Sequence, residues 1–248
     1  MEKELGLIGL PLSHSFSPNW FENHFVQNQI KNFKYRLFPL ERIEDLPALI
    51  KQNPDLQGLN VTIPYKKTVL PFLDELSHEV QAIGAANCIK ILRDGTNVRT
   101  KGYNTDIIGF AKSLIPLLQA QHNQALVFGS GGAAQAVLYV LNELSIEARV
   151  VSRRADTNSI SYAELNPNLL KTFKLWINTT PVGMYPNVDK VLPIAYEHCS
   201  PQHLVYDLIY NPHDTSFLKA CKMRGAIIKN GYEMLEIQAE ESAKIFGI

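Results

Sequence analysis

Ala125-Leu126-Val127-Phe128-Gly129-Ser130-Gly131-Gly132-Ala133-Ala134 runs from a short apolar strand through a glycine turn into a helix. A glycine pattern alone is a weak signal. Here a strand precedes it, the helix extends to about Leu144, and a second strand follows at residues 148–151, within the ~30 residues of a dinucleotide-binding βαβ unit. Gly129 permits the tight turn, and Gly131 lets the backbone approach a pyrophosphate. Ala134 holds the third position, where a small residue lets helix and strand pack closely. The free N–H groups and positive dipole end of the helix suit phosphate. Gly129, Ser130, Gly131, Gly132 and Ala133 are therefore expected to bind cofactor, the rival reading being a purely structural strand-to-helix turn.

The end of the second strand distinguishes the two nicotinamide dinucleotides. A carboxylate there would bind the ribose 2′-hydroxyl of NAD. This strand ends Val150-Val151-Ser152-Arg153-Arg154, with no carboxylate before Asp156. Two guanidinium groups suit a 2′-phosphate through charge and paired donors. Ser152, Arg153 and Arg154 are thus assigned to NADP, against the alternative of two solvated surface arginines.

Outward from this unit, strand and helix alternate almost throughout, which predicts α/β architecture with mainly parallel sheets. Downstream, strands are expected at residues 175–178, 204–207 and 226–229, with helices at 215–224 and from about 232 to 246. Upstream, residues 5–10 read as a buried strand. Ser17-Pro18 reads as a helix start, with Ser17 as N-cap and Pro18 at the first helical position. Strands follow at 33–38 and 58–62, with a helix at 43–52 between them. Residues 87–93 and 98–103 flank Asp94-Gly95, a hairpin signal. Asn104-Thr105-Asp106 is expected to cap a helix reaching about Leu118. The boundary is placed near Asp106: residues 1–105, completed by a C-terminal helix 231–248, form a substrate-binding and catalytic α/β domain, and residues 106–230 form a Rossmann-type doubly wound NADP domain.

Three segments of the first half place polar groups at strand ends, where open α/β sheets bind ligands. They are Ser13-His14-Ser15-Phe16-Ser17, Asn60-Val61-Thr62-Ile63-Pro64-Tyr65-Lys66-Lys67, and Asn87 with Asn104-Thr105-Asp106. Singly, each has a plain explanation as a cap or strand decoration. Together, the hydroxyls and amides suit a polyhydroxylated ligand, and the lysine and aspartate suit proton transfer. Reducing a carbonyl needs a hydride on carbon and a proton on oxygen. A lysine beside the developing alkoxide can donate that proton and stabilise the charge.

In order along nearly the whole chain, these segments resemble the shikimate dehydrogenase family, together with Gly84-Ala85-Ala86-Asn87, Asn178-Thr179-Thr180-Pro181-Val182-Gly183-Met184, Tyr206-Asp207-Leu208-Ile209-Tyr210 and Asn230-Gly231-Tyr232-Glu233-Met234-Leu235. The resemblance is poorest over residues 155–174 and 187–202. It implies NADPH-linked, reversible reduction of 3-dehydroshikimate to shikimate in aromatic amino acid (chorismate) biosynthesis. It also implies two α/β domains with the active site in the cleft between them. Carried over by motif, Ser15 and Ser17 would bind the substrate carboxylate, and Asn60, Thr62, Asn87, Tyr210 and Gln238 would complete the substrate site. Lys66 would be the catalytic acid/base paired with Asp106, with Lys67 beside it to be separated by mutagenesis. Leu208 and Gly231 would join the glycine loop and Ser152–Arg154 at NADP. One departure is Ser152-Arg153-Arg154, where the family usually reads Asn-Arg-Thr.

The 248 residues suffice for one large or two modest domains, and 46% apolar content supports a packed core. With 24 basic and 24 acidic residues, no nucleic-acid surface is expected. No run of about 18 apolar residues predicts a membrane span, and Met1-Glu2-Lys3-Glu4 lacks the order of a signal peptide. Cys88, Cys199 and Cys221 are scattered and odd in number, which fits reduced thiols and a cytoplasmic location. Glu197-His198-Cys199 with His203 matches no standard zinc spacing and reads as a surface loop, so no metal is expected. His14 either touches substrate or makes a local hydrogen bond, and Tyr232 either gates the nicotinamide or packs the last helix. The chain is expected to be a monomer or homodimer. Two alternatives stay open: a quinate/shikimate dehydrogenase of broader specificity, and a non-catalytic NADP-binding regulatory homologue.

Overall fold

The computed structural model describes residues 2–13, 15–155 and 157–248, so the reading of His14 lies outside the described residues. Two compact units make up the chain: Met1–Ile108 with Glu236–Ile248, and Gly109–Leu235.

The first unit contains β1 (Lys3–Gly9), α1 (Ser17–Gln27), β2 (Phe33–Pro39), α2 (Leu46–Gln52), β3 (Leu56–Val61), β4 (Glu75–Leu76), α3 (His78–Ile83), β5 (Cys88–Asp94), β6 (Asn97–Tyr103) and the start of α4 (Asp106–Leu114). The last helix, α8 (Tyr232–Phe246), contributes its residues from Glu236 onward. Six strands form one sheet in the order β2-β1-β3-β5-β6-β4. β1 runs parallel to β2 and β3, whereas β5 is antiparallel to β3 and β6. Gly95 in the β5–β6 turn has φ 58°, the left-handed value that two-residue hairpin turns require.

β1 is apolar on both faces because both are covered. Ile8 joins Leu46, Leu56, Leu59, Val80 and Ile89 on one side. Leu5 and Leu7 join Phe21, Phe25, Tyr35 and Phe246 on the other. Gly58 seats the end of α8, since a Cβ there would lie 2.3 Å from Phe246 Cε1.

Two expectations need correcting here. Ser17 is the first residue of α1 rather than its cap; Phe16 holds the cap position without a side-chain bond. The first turn of the 43–52 helix is a 3-10 turn, Ile43–Asp45, and α2 starts at Leu46.

The second unit contains the rest of α4, then β7 (Gln124–Phe128), α5 (Gly132–Glu143), β8 (Glu147–Ser152), β9 (Ser159–Ser161), α6 (Pro167–Thr172), β10 (Leu175–Asn178), β11 (Leu204–Asp207), α7 (Ser216–Lys222), β12 (Ile227–Lys229) and the first turn of α8. Its six strands, in the order β12-β11-β10-β7-β8-β9, are all parallel. Counted within the unit this is the doubly wound dinucleotide-binding order, with its switch point between β7 and β10. The core gathers Leu126, Phe128, Val151, Trp176, Val205, Phe217 and Leu218.

α4 ends at Leu114 and passes into a 3-10 turn, Ile115–Leu117, short of the expected Leu118. Pro116 has no N–H to continue the ladder and disfavours helical backbone at Ile115. Thr215 caps α7 instead of joining it, accepting from the Leu218 N–H at 3.3 Å. The stretch around Glu197 is not a surface loop. Tyr196–His198 forms a 3-10 turn, Cys199 is 6% exposed, and His203 is fully buried. His203 is held between Ser200 Oγ at 2.9 Å and the Leu170 carbonyl at 3.0 Å, against the edge of Trp176. Among the described residues no helix is long and apolar enough to cross a membrane.

Candidate active site

Lys66 lies in the loop that leaves β3. Its Nζ donates to Asp106 Oδ2 at 2.6 Å, and both side chains are largely shielded, 18% and 7% exposed. The loop is tied down from behind, because the Ala86 N–H donates to the Lys66 carbonyl at 2.8 Å. Asp106 opens α4, whose first turn is capped by Asn104 Oδ1 accepting from Ile107 N–H at 3.4 Å. A second bond from Asn104 Nδ2 to the Ala85 carbonyl, 2.9 Å, holds the segment carrying Asn87 against the start of α4.

Asn87 sits between two strands by main-chain bonds, donating to the Tyr103 carbonyl and accepting from the Val61 N–H. Its side chain is 3% exposed. Nδ2 donates to Asp106 Oδ1 and to Thr105 Oγ1, both at 3.0 Å, and lies 3.4 Å from Gln238 Oε1. The first unit thus brings Lys66, Asn87, Asp106 and Gln238 together from four separate segments.

The other substrate candidates are placed less uniformly. Thr62 follows β3 directly. Its methyl reaches over Gly9, where a Cβ would lie 2.4 Å from it, so Gly9 makes room for that side chain. Ser15 stands in the turn before α1, its N–H donating to the Leu12 carbonyl at 3.1 Å. Ser17 contacts the phenol of Tyr35, whose pKa is pushed well up by burial despite that hydrogen bond. Asn60 is turned into the interior. It accepts from Tyr35 OH at 2.9 Å and donates to Ser242 Oγ at 2.9 Å. Tyr210 belongs to the second unit, in the loop after β11.

In the second unit, β7 delivers the chain to Gly129 at φ 109°, a left-handed value that favours glycine. A Cβ there would also lie 2.6 Å from Thr179 Oγ1. Gly131 is the N-cap of α5 with no side-chain bond, and a Cβ built on it meets nothing within 4 Å. The first turn, Gly132 and Ala133 included, therefore keeps its N–H groups clear of a capping side chain. Ala134 is fully buried at the close approach of helix and sheet. Ser152 ends β8, donating to the Arg154 carbonyl, and the side chains of Arg153 and Arg154 are exposed. Leu208 and Gly231 meet: a Cβ on Gly231 would lie 2.0 Å from the Leu208 carbonyl oxygen.

Asp207, at the end of β11, is a group that reading the sequence for chemistry passed over. It is fully buried and accepts from Asn178 Nδ2 at 3.0 Å, Ile209 N–H at 3.1 Å and Thr215 Oγ1 at 2.6 Å. Burial pushes its carboxyl up to about 7, against the pull of those three donors. Asn178 Oδ1 in turn accepts from Thr180 N–H and Oγ1, and Thr179 bonds the Phe128 carbonyl just before Gly129. The ends of β7, β10 and β11 are thereby knotted around the glycine loop. The segments Asn178-Thr179-Thr180 and Tyr206-Asp207 were visible as motifs, but their burial was not.

Residues 7–89 match the family model described as the shikimate dehydrogenase substrate binding domain. The chain is 34% identical to the shikimate dehydrogenase (NADP(+)) of Methanosphaera stadtmanae, over 97% of this chain and 90% of that one. Among solved structures, a shikimate dehydrogenase in complex with NADP+ superposes with a TM-score of 0.86 at 32% identity, covering 100% of this chain and 91% of that one. The shikimate 5-dehydrogenase of Thermus thermophilus, solved with NADP(H) and shikimate, gives 0.86 at 27% identity, covering 99% and 94%.

Proposed function

This chain belongs to the shikimate dehydrogenase family, and on that premise we propose that it catalyses the NADP-linked interconversion of 3-dehydroshikimate and shikimate. The observation that carries the reading is the 2.6 Å Lys66–Asp106 pair with Asn87 beside it. An ammonium held by a carboxylate is what a carbonyl reduction needs at the oxygen. Lys66 delivers a proton to that oxygen as negative charge develops there, and takes it back in the reverse direction. Asp106 holds the ammonium in place, and the amides of Asn87 and Gln238 with the Thr62 hydroxyl meet ring hydroxyls. Ser15 and Ser17 bind the carboxylate. The first unit is thus the substrate unit, and the second is the cofactor unit.

The second unit fits NADP by its own geometry. The left-handed Gly129, the open Gly131 and the uncapped first turn of α5 leave backbone N–H groups for a pyrophosphate. We assign Ser152, Arg153 and Arg154 to the 2′-phosphate, because Ser152 ends the second strand of the unit, the two arginines follow it exposed, and guanidinium groups suit a phosphate. Gly129, Ser130, Gly131, Gly132, Ala133, Leu208 and Gly231 would hold the remainder. When bound, NADPH supplies the hydride. We assign reduction as the working direction, feeding aromatic amino acid synthesis in the cytoplasm, because a site built for a 2′-phosphate selects the dinucleotide used reductively.

The test is the rise of NADPH absorbance when shikimate and NADP are mixed with the protein, compared with quinate and with NAD in place of each partner. Turnover of shikimate with NADP at the highest kcat/KM is expected. Cofactor binding without turnover on either acid would overturn the assignment.

A further inference from the structure

All three cysteines are free thiols, and two of them meet inside the second unit. Cys199 closes the 3-10 turn Tyr196–His198, its N–H donating to the Tyr196 carbonyl at 3.0 Å. That turn packs on α7, where the Tyr196 ring meets Phe217 edge-on, 6.3 Å between centroids. Cys221 lies four residues beyond Phe217 in α7, and residues four apart share one face of a helix. The same face thus receives both ends of the turn, Tyr196 at Phe217 and Cys199 at Cys221. The Cys221 thiol donates to the Cys199 sulfur, so the two Sγ atoms are in hydrogen-bonding contact.

The two sulfurs are not equivalent. Cys199 keeps 6% exposure, whereas Cys221 is sealed in the core. The bond from Cys221 holds the Cys199 thiol below its ordinary range against the effect of burial, and the charges of Arg224 and Lys174 act in the same direction. Cys221, as the donor, is pushed up by that bond and by burial, and keeps its proton. Cys88, the one cysteine of the first unit, is pushed up to about 12 by burial and stays a thiol. The thiolate is the form that an oxidant attacks, and redox-sensitive cysteines pair such a thiolate with a resolving thiol.

We propose that Cys199 and Cys221 are a modification site, a redox pair in which a hydroperoxide oxidises Cys199 and Cys221 resolves it to an intrachain disulfide. The Cys199 thiolate attacks one peroxide oxygen. The O–O bond breaks, Cys199 becomes a sulfenic acid, and the other oxygen leaves with a proton as alcohol or water. Cys221 then loses its proton and attacks the Cys199 sulfur, the S–O bond breaks, and water departs. The two sulfurs together give up two electrons and the peroxide takes them; a dithiol reductant reverses the bond. The closed ring, residues 199–221, carries β11 and Thr215, the cap that holds Asp207. This chemistry is independent of the shikimate reading, and its test does not use turnover.

The test exposes the full folded chain, reduced and then freed of reductant, to excess hydrogen peroxide. Catalase ends the reaction, the chain is unfolded in urea, and the remaining thiols are counted and alkylated. Free thiols should fall from three to one. A non-reduced digest should join the Cys199 peptide to the Cys221 peptide and return Cys88 alkylated, and dithiothreitol should restore all three thiols. In Cys221→Ser, dimedone should capture a sulfenic acid on Cys199; in Cys199→Ser, Cys221 should stay reduced. Recovery of Cys199 and Cys221 as alkylated thiols, a disulfide through Cys88 or between chains in place of this one, or dimedone capture at Cys221 in Cys199→Ser would each overturn the proposal. The peptide map of the unmutated chain decides even where a variant fails to fold.

Discussion

Asp207 should make the second unit lose stability as pH rises, and Asp207→Asn should remove that loss. The carboxyl is fully buried among neutral donors, and its pKa is raised to about 7 by that burial. In the unfolded chain an aspartate titrates near 3.9. Between these values the folded form holds a proton that the unfolded form has released, so stability falls with rising pH through that window. The cost is absent below both pKa values and fully developed above the folded one. Taking the two pKa values at face value, linkage puts the descent from pH 5 to pH 8 at roughly 2–3 kcal/mol, or about 4–12 °C in melting temperature for a domain of this size. Asparagine keeps the oxygen that accepts from Asn178 and Ile209. Its amide nitrogen replaces the oxygen facing Thr215, whose hydroxyl turns to accept, for a cost of about 1 kcal/mol. The chain has two tryptophans, Trp20 and Trp176, and Trp176 is buried in the second unit. Denaturant unfolding at pH 5 and pH 8, followed by Trp176 fluorescence in a Trp20→Phe background, isolates the effect. If Asp207→Asn shows the same descent as the parent, the carboxyl is not the source and the reasoning is wrong.

Lys66→Ala should lower kcat by about 10²–10⁴-fold with KM for shikimate roughly unchanged, while Lys67→Ala keeps near-normal turnover; steady-state assays of both variants check this. Arg153→Ala with Arg154→Ala should raise KM for NADP at least about tenfold and leave KM for NAD unaffected, since only NADP carries the 2′-phosphate. Gly231→Ala must displace the Leu208 carbonyl, 2.0 Å from the new Cβ. It should cost about 1–3 kcal/mol in thermal unfolding and weaken NADP binding measured by fluorescence titration.

The second unit was legible because its signals are local. An apolar strand, a glycine turn and a helix follow one another without interruption, and the all-parallel sheet leaves each strand an apolar run that periodicity detects. The first unit was less so. β4 has two residues and α3 has six, too few for any period to show, and the same holds for β9 and α6 in the second unit, with three and six. The site candidates Lys66, Asn87 and Asp106 were readable as polar residues at strand ends, yet only the fold reveals that Asn60, quoted in the same motif as Lys66, is bonded to Tyr35 and Ser242. Ser242 gave no signal at all: a serine in an amphipathic helix reads as solvent-facing until another element covers it. His203 was misread for the opposite reason, since a short polar stretch looks exposed when the tryptophan that covers it is distant in sequence.

The two units use one device to different ends. Each places an aspartate at the edge of its sheet and meets it with an asparagine at 3.0 Å, Asn87 at Asp106 and Asn178 at Asp207, where Thr215 adds a hydroxyl. What differs is the remaining partner. Asp106 faces an ammonium at 2.6 Å, in a loop that still reaches solvent, so its charge is balanced and proton exchange stays open. Asp207 faces only neutral donors among its hydrogen bonds and is sealed, so burial raises its pKa and its work is confined to holding three strand ends around the glycine loop. A carboxylate in such a knot is a candidate for chemistry when a cation accompanies it, and a piece of scaffolding when none does. The asparagine contact cannot separate these cases, because it is 3.0 Å in both; the charge of the remaining neighbour does.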